Sequence, residues 1–180
     1  VAVEPIEARA FENTRVGSPK ARFLPAIERT CTLLADRVEA ECHQGHFPLV
    51  LGGDHAQAIG TIAGLARYWR SKGKDIGVVW VDAHTDMNTP DTSPTGNIHG
   101  MPLAVLLGYG PPELTVINGG QPSLKPENVA VIGARDVDPS EVALVKATGV
   151  RVYPMSELDS RGTAVCVREA FEQVTDGTAG

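Results

Sequence analysis

Four short apolar segments constrain the fold of this chain more than any other feature of its sequence. They are PLVLGG (48–53), IGVVWVDAH (76–84), NVAVIGA (128–134) and VRVYP (150–154). Short apolar runs with β-branched residues, bounded by glycine, proline or polar residues, are typical of buried strands. Because helical patterns separate these runs, the sequence predicts a parallel sheet with helices on both faces.

The intervals between the apolar segments carry helical periodicity or loop-forming residues. Ser18 and Pro19 are typical of a helix start, and Gly45 is typical of its end. The whole chain is interpreted as one α/β domain over residues 1–180. Its predicted fold has three layers, α-β-α, with a mostly parallel sheet as the middle layer. The other predicted helices are 55–70, 100–107, 138–148 and 155–174, and the predicted irregular segments are 1–18, 86–99 and 108–127.

Charge and composition exclude several classes of partner. The chain has 16 basic and 22 acidic residues, a net charge of −6 and no basic run, so neither nucleic acid nor an anionic membrane surface is an expected partner. No run approaches the roughly 20 apolar residues of a transmembrane helix. The first residues lack a signal-peptide pattern, and the three cysteines are widely spaced, which together predict reduced thiols and a cytoplasmic location.

The polar residues that follow the second apolar segment form the strongest candidate site. Ligand sites of parallel α/β sheets gather at the carboxyl ends of the strands, and residues two apart in extended chain face the same side. Asp82, His84 and Asp86 are therefore expected to converge just beyond the sheet. His55 follows the first apolar segment in the same way. Such mixed nitrogen and oxygen ligands suit manganese, iron or zinc, and the carboxylates favour manganese.

Structural roles are alternatives for each of these residues. His55, beside a glycine pair, is also typical of a hydrogen-bonded turn or core histidine, and D-x-H-x-D is also typical of a solvated loop. Their joint placement at neighbouring strand ends favours the metal site. No nucleotide-binding glycine motif, nucleophile elbow or H-E-x-x-H zinc motif occurs in the chain.

Four motifs resemble the arginases of the ureohydrolase family. They are LGGDHAQAIG (51–60), VVWVDAHTDMNTP (78–90), TGNIHGMP (95–102) and VIGARDVDPSE (131–141), and the resemblance spans about residues 11–175. The resemblance implies an arginase-like α/β fold and manganese-dependent hydrolysis of L-arginine to L-ornithine and urea by a metal-bound hydroxide. It also implies a homo-oligomer, since members of this family form trimers or hexamers.

The resemblance implies a role for each matched residue of the metal site. His55 and Asp86 would bind one Mn²⁺ and His84 the other, with Asp82 bridging the two. Asp86 would also pass a proton to the leaving amine, and His99 would act as a proton shuttle. From the residues alone, His99 is more typical of a loop histidine that caps the helix after it.

The same resemblance implies a set of substrate-binding residues. Asp138 and Glu141 would receive the α-ammonium group of the substrate, but Asp-Pro-Ser-Glu is also a typical capping box at a helix start. The residues that would bind the α-carboxylate are Asn88, Ser93, Thr95 and Asn97.

The chain also departs from the family. Arginases have about 300 residues, and this sequence is expected to lack their first strand region and their D-x-D-x-x-D-P motif, so that four of six metal ligands are present and the second ion is incompletely held. Two further functions therefore stand beside arginase. One is a catalytically inactive fragment or non-enzymatic metal-binding module, and the other is a ureohydrolase for another guanidino compound such as agmatine.

Overall fold

The core of the fold is a parallel sheet of three strands. The computed structural model describes residues 5–6 and 15–179. Within them the sheet has the order β3 (Val78–Val81), β4 (Val129–Ala134) and β5 (Arg151–Pro154). Trp80 pairs with Val131 across the first pair of strands, and Val131 pairs with Val152 across the second. The prediction of a parallel sheet is confirmed for three of its four strands.

Helices cover both faces of this sheet. α2 (Gln57–Arg70), α3 (Pro102–Leu106) and α5 (Pro139–Thr148) share a core with one face, whereas α6 (Met155–Arg161) and α7 (Thr163–Thr175) share a core with the other. The side chains alternate between the two faces because strand geometry has a period of two. The alternating residues are Val78, Trp80, Val129, Val131 and Val152 on the first face, and Val79, Ala130, Ile132 and Tyr153 on the second.

The N-terminal part forms a hairpin and a long helix. β1 (Gly17–Ser18) and β2 (Ala21–Arg22) pair antiparallel, and α1 (Leu24–His43) then packs on α2. The predicted helix start at Ser18 and Pro19 is wrong, because Ser18 belongs to β1 and Pro19 lies in the hairpin turn. Pro25 lies in the first turn of the helix instead. The predicted irregular opening over residues 1–18 lies mostly outside the described residues, and its end belongs to β1.

The predicted first strand, residues 48–53, is also wrong. The segment is irregular, and Leu49 and Leu51 are 78% and 84% exposed. A strand requires a neighbour for its backbone hydrogen bonds, and no described strand pairs with this segment. Its residues nevertheless lead directly into the turn that carries His55.

Three smaller differences follow from turn-forming residues. The predicted helix over 155–174 divides into α6 and α7 because Gly162 has a φ of 90°. The segment 108–127, which is predicted to be irregular, contains a helical turn, α4 (Pro112–Thr115). Short 3-10 helices lie at Ile98–Gly100 and Pro126–Asn128. None of the described helices combines the length and apolar character required for crossing a bilayer.

Candidate metal site

The carboxyl end of β3 carries the two aspartates of the candidate site. β3 ends at Val81, and backbone hydrogen bonds from Asp82 to Ile132 and from Arg135 to Ala83 bind the following residues to β4. A cluster of three potential metal ligands forms here from His55, Asp82 and Asp86, whose ligand atoms all lie within 4.8 Å of one another. The cluster lies where α/β sheets place their ligand sites.

The imidazole of His55 faces both carboxylates. Its Nδ1 lies 2.7 Å from Asp86 Oδ2 and 3.0 Å from Asp82 Oδ2. Asp86 Oδ2 is buried and accepts no hydrogen bond of acceptable geometry within the described part of the chain. An imidazole nitrogen and two carboxylate oxygens that lie this close together, one of them on a buried side chain, are a donor set that suits a divalent cation. The residues present therefore fit a metal ion.

His84 lies beside this cluster rather than within it. Its Nδ1 is 3.2 Å from Asp82 Oδ1, and its Nε2 is 3.5 Å from Asp136 Oδ2. Asp82 thus lies between two imidazoles, with one oxygen toward each. Simple alternation of extended chain would bring Asp82, His84 and Asp86 to one point, but the strand ends before Asp82 and Asp86 has a φ of 50°.

The pKa values of His55 and Asp82 reflect their mutual contact. The nearby Asp86 carboxylate raises the pKa of His55, Asp82 adds to the effect, and partial burial opposes it. Partial burial alone would raise the pKa of Asp82, but hydrogen bonds from the backbone and ring of His84, together with the charge of His55, lower it overall. Asp82 is therefore an ionised carboxylate at neutral pH, as a metal ligand must be.

In the metal-free chain, we expect His55 to stabilise the fold at low pH. Its raised pKa means that the folded chain binds the proton more tightly than the unfolded chain, whose imidazole pKa is about 6.5. This contribution is complete below about pH 6.5 and is lost as pH rises through the folded-state pKa. Urea midpoints in EDTA should therefore differ between the wild type and His55→Asn more at acidic pH than at alkaline pH. A difference that is the same at every pH would contradict the expectation.

His99 and the loop after Asp86 occupy different surroundings. The His99 side chain is 53% exposed, and its Nδ1 lies 3.8 Å from Asp54 Oδ2. Asn88 is buried, donates from Nδ2 to Asp138 Oδ2 at 2.8 Å and accepts at Oδ1 from Thr92. The loop that begins at Asn88 is thereby joined to the start of α5.

The other predicted substrate residues organise the loop and the helix start. Ser93 Oγ accepts from the backbone of Gly96 at 3.0 Å, and Thr95 Oγ1 accepts from the backbone of Asn97 at 3.2 Å. Glu141 is buried and accepts from the backbone of Asp138 at 2.9 Å, as one half of the capping box. The predicted roles of these residues toward a substrate stay predictions.

Two neighbours of the cluster, Trp80 and Thr85, are not among the residues predicted from the sequence. The ring of Trp80 stacks on the imidazole of His55 with centroids 4.3 Å apart, and Thr85 Oγ1 donates to Glu141 Oε1 at 2.7 Å. The position of Trp80 could have been found from strand alternation, because Trp80 and Asp82 are two residues apart. The partner of Thr85 lies 56 residues away in the sequence, where no local pattern points to it.

Comparison with known proteins assigns the chain to a family of enzymes with this α/β architecture. The model of the Arginase family matches residues 6–179. An arginase from Bacillus caldovelox is 44% identical over 164 residues, which cover 91% of this chain and 54% of that protein. An arginase from Brevibacillus brevis is 48% identical over 88% of this chain and 52% of its own length. The chain belongs to the arginase family, and it spans about half the length of these curated relatives.

Solved structures agree with this assignment. The crystal structure of arginase from Bacillus cereus superposes with a TM-score of 0.85 at 44% identity, covering 91% of this chain and 55% of that one. The Entamoeba histolytica arginase in complex with L-ornithine superposes with a TM-score of 0.81 at 32% identity, covering 89% of this chain and 54% of that one. The predicted arginase-like α/β fold is confirmed.

Proposed function

We propose that this chain carries a manganese site and a substrate site of an arginase, which hydrolyses L-arginine to L-ornithine and urea. The observation that supports the proposal most is the cluster of His55, Asp82 and Asp86 at the end of β3, in a chain that belongs to the arginase family. The L-ornithine bound to the Entamoeba histolytica arginase supports the choice of product. The same proposal places the protein in the cytoplasm as a homo-oligomer.

The residues of the cluster account for the metal and for one proton transfer. His55, Asp82 and Asp86 would hold one Mn²⁺, and His84 with Asp82 would contribute to a second. Bound manganese supplies a water molecule of lowered pKa as the nucleophile. Asp86 Oδ2, which accepts no hydrogen bond within the described residues, would take up a proton and deliver it to the leaving amine. His99, which is largely exposed, would exchange protons with solvent.

Charge complementarity accounts for the binding of the amino-acid end of the substrate. Asp138, at the start of α5, offers a carboxylate to the α-ammonium group. Ser93 and Thr95 offer hydroxyls to the α-carboxylate, and Asn97 offers an amide. Because Asn88 hydrogen-bonds to Asp138, the two halves of this binding site are held together. A decarboxylated substrate such as agmatine would leave the donors of the loop without their anion.

We expect urea release from L-arginine, but not from agmatine, when the purified chain is incubated with Mn²⁺. Colorimetric urea determination checks this, with an EDTA-treated sample and an Asp82→Ala variant as controls. Urea from agmatine in preference to L-arginine would overturn the proposed substrate and favour another ureohydrolase. Urea that is unaffected by EDTA would overturn the role of the metal.

A second candidate function is a metal-binding module without catalytic activity. The exposure of Leu49, Leu51 and Val81, at 78%, 84% and 75%, favours it, since these apolar residues of the segment before His55 and the end of β3 lack cover within the described part of the chain. Manganese binding by the chain with no urea from either substrate is the result expected of such a module.

A further inference from the structure

The carboxylate of Glu141 is buried, and both of its oxygens accept hydrogen bonds within the protein. Glu141 is 3% exposed. Its Oε1 accepts from Thr85 Oγ1 at 2.7 Å and from the backbone N–H of Met87 at 2.9 Å. Its Oε2 accepts from the backbone N–H of Asp138 at 2.9 Å. Three donors from two separate segments therefore surround one buried carboxylate, which leaves little of it accessible to a small molecule.

Two of these three donors flank Asp86. Thr85 precedes Asp86 and Met87 follows it, and both are buried. Asp86 has a φ of 50°, which is a left-handed backbone conformation. Residues other than glycine adopt this conformation at an energetic cost. Such a conformation persists where the surroundings over-determine it. The two hydrogen bonds to Glu141 hold the residues on either side of Asp86, and so they hold this turn.

The direction of the Asp86 carboxylate follows from that turn. Asp86 Oδ2 is buried and lies 2.7 Å from His55 Nδ1, so the carboxylate is directed at the imidazole of the candidate site. We infer that Glu141 is a positioning residue for the metal site, which acts through Thr85 and Met87 and does not contact the substrate. This inference rests on the metal site of the proposed function.

The first arm of the test needs no metal. Hydrogen exchange of the Met87 amide is measured by NMR in EDTA for the wild type, for Glu141→Gln, and for Thr148→Val as a control. Thr148 lies on the same helix, and its hydroxyl bonds to carbonyls of that helix. We expect faster exchange of the Met87 amide in Glu141→Gln and wild-type exchange in Thr148→Val. Unchanged exchange in Glu141→Gln overturns the inference.

The second arm measures the dissociation constant for Mn²⁺ together with stability in urea. Loss of a residue that orients a metal ligand weakens metal binding by about 10- to 100-fold. We expect this weakening in Glu141→Gln and Thr85→Val, whereas Thr85→Ser, which keeps the hydroxyl, should restore affinity to within about twofold of the wild type. A merely structural Glu141 would lower stability and leave the Mn²⁺ affinity of the folded chain unchanged, and that result overturns the inference.

The two arms distinguish failure of the inference from failure of the proposed function. A wild-type chain that binds no Mn²⁺ overturns the proposed function, and the exchange of the Met87 amide then decides by itself whether Glu141 holds the turn. A wild-type chain that binds Mn²⁺, with equal affinity in Glu141→Gln, overturns the inference alone.

Discussion

Replacement of Asp82 by alanine is expected to abolish Mn²⁺ binding by this chain. Asp82 Oδ2 lies 3.0 Å from His55 Nδ1 and Asp82 Oδ1 lies 3.2 Å from His84 Nδ1, so this carboxylate faces both imidazoles of the candidate site. Its removal takes one ligand from each proposed ion at once. It also deprives His55 and His84 of the contact that orients them. Loss of a residue that only orients a metal ligand weakens metal binding by up to roughly 100-fold. Because Asp82 is itself a proposed ligand, we expect a larger fall in Mn²⁺ affinity here.

The measurement is a titration with Mn²⁺ followed by the electron paramagnetic resonance signal of the free ion. Asp159→Ala, which removes an exposed carboxylate on α6, is the matched control because it changes the net charge equally. Binding by Asp159→Ala should equal that of the wild type. Near-wild-type binding by Asp82→Ala would show that the cluster at the end of β3 is not the metal site.

Periodicity predicted the part of the fold whose elements pair or pack with other described elements. Strands β3, β4 and β5 and helices α2 and α5 form close to the predicted positions, because each buries an apolar face against another described element. The segment 48–53 has an equally apolar sequence, yet it is irregular and exposed. An apolar run indicates that its side chains favour burial. It does not indicate whether a neighbouring strand is present to pair with its backbone.

Turn chemistry was the second limit of the prediction. Ser18 and Pro19 are as typical of a tight turn as of a helix start, and only the pairing of Gly17 with Arg22 decides between them. Gly162, with a φ of 90°, interrupts a pattern that otherwise continues from α6 into α7. In both places the backbone conformation of one or two residues overrides the periodicity of many.

The candidate site could be predicted only where its residues are close in the sequence or follow strands. The spacing of Asp82, His84 and Asp86 singles out this loop, and the place of His55 after an apolar run adds the second segment. The left-handed turn at Asp86 and its support by Glu141 have no local signal. Both depend on a contact between residues more than fifty positions apart, which arises only when α5 packs beside the end of β3.

The close packing of α1 against α2 depends on two glycines without side chains. A Cβ added at Gly60 would lie 2.5 Å from the carbonyl oxygen of Cys31, and one added at Gly64 would lie 2.5 Å from that of Ala35. Gly60 and Gly64 are one helical turn apart on α2, and Cys31 and Ala35 are one turn apart on α1. The two helix backbones therefore lie close together over at least one turn. A backbone carbonyl cannot rotate away as a long side chain can, and the helices would have to separate.

We expect Gly64→Ala to lower the free energy of unfolding by about 2–3 kcal/mol. Overpacking of a well-packed core typically costs about 1–3 kcal/mol, and contact with a backbone atom belongs to the upper part of that range. In an exposed helix the same change would stabilise by about 1 kcal/mol through helix propensity. A decrease in the free energy of unfolding would therefore indicate overpacking, and an increase would indicate helix propensity. Stability is measured in metal-free buffer by urea unfolding, with tryptophan fluorescence as the signal.

Gly53→Ala is the control for the chemical change itself. A Cβ at Gly53 meets no atom within 4 Å, and no left-handed conformation constrains that residue. Its stability should stay within about 0.5 kcal/mol of the wild type. A Gly64→Ala chain as stable as the wild type, or more stable, would mean that α1 and α2 do not approach closely in solution. Since α2 follows the turn that carries His55, separation of these helices should also weaken Mn²⁺ binding in Gly64→Ala but not in Gly53→Ala.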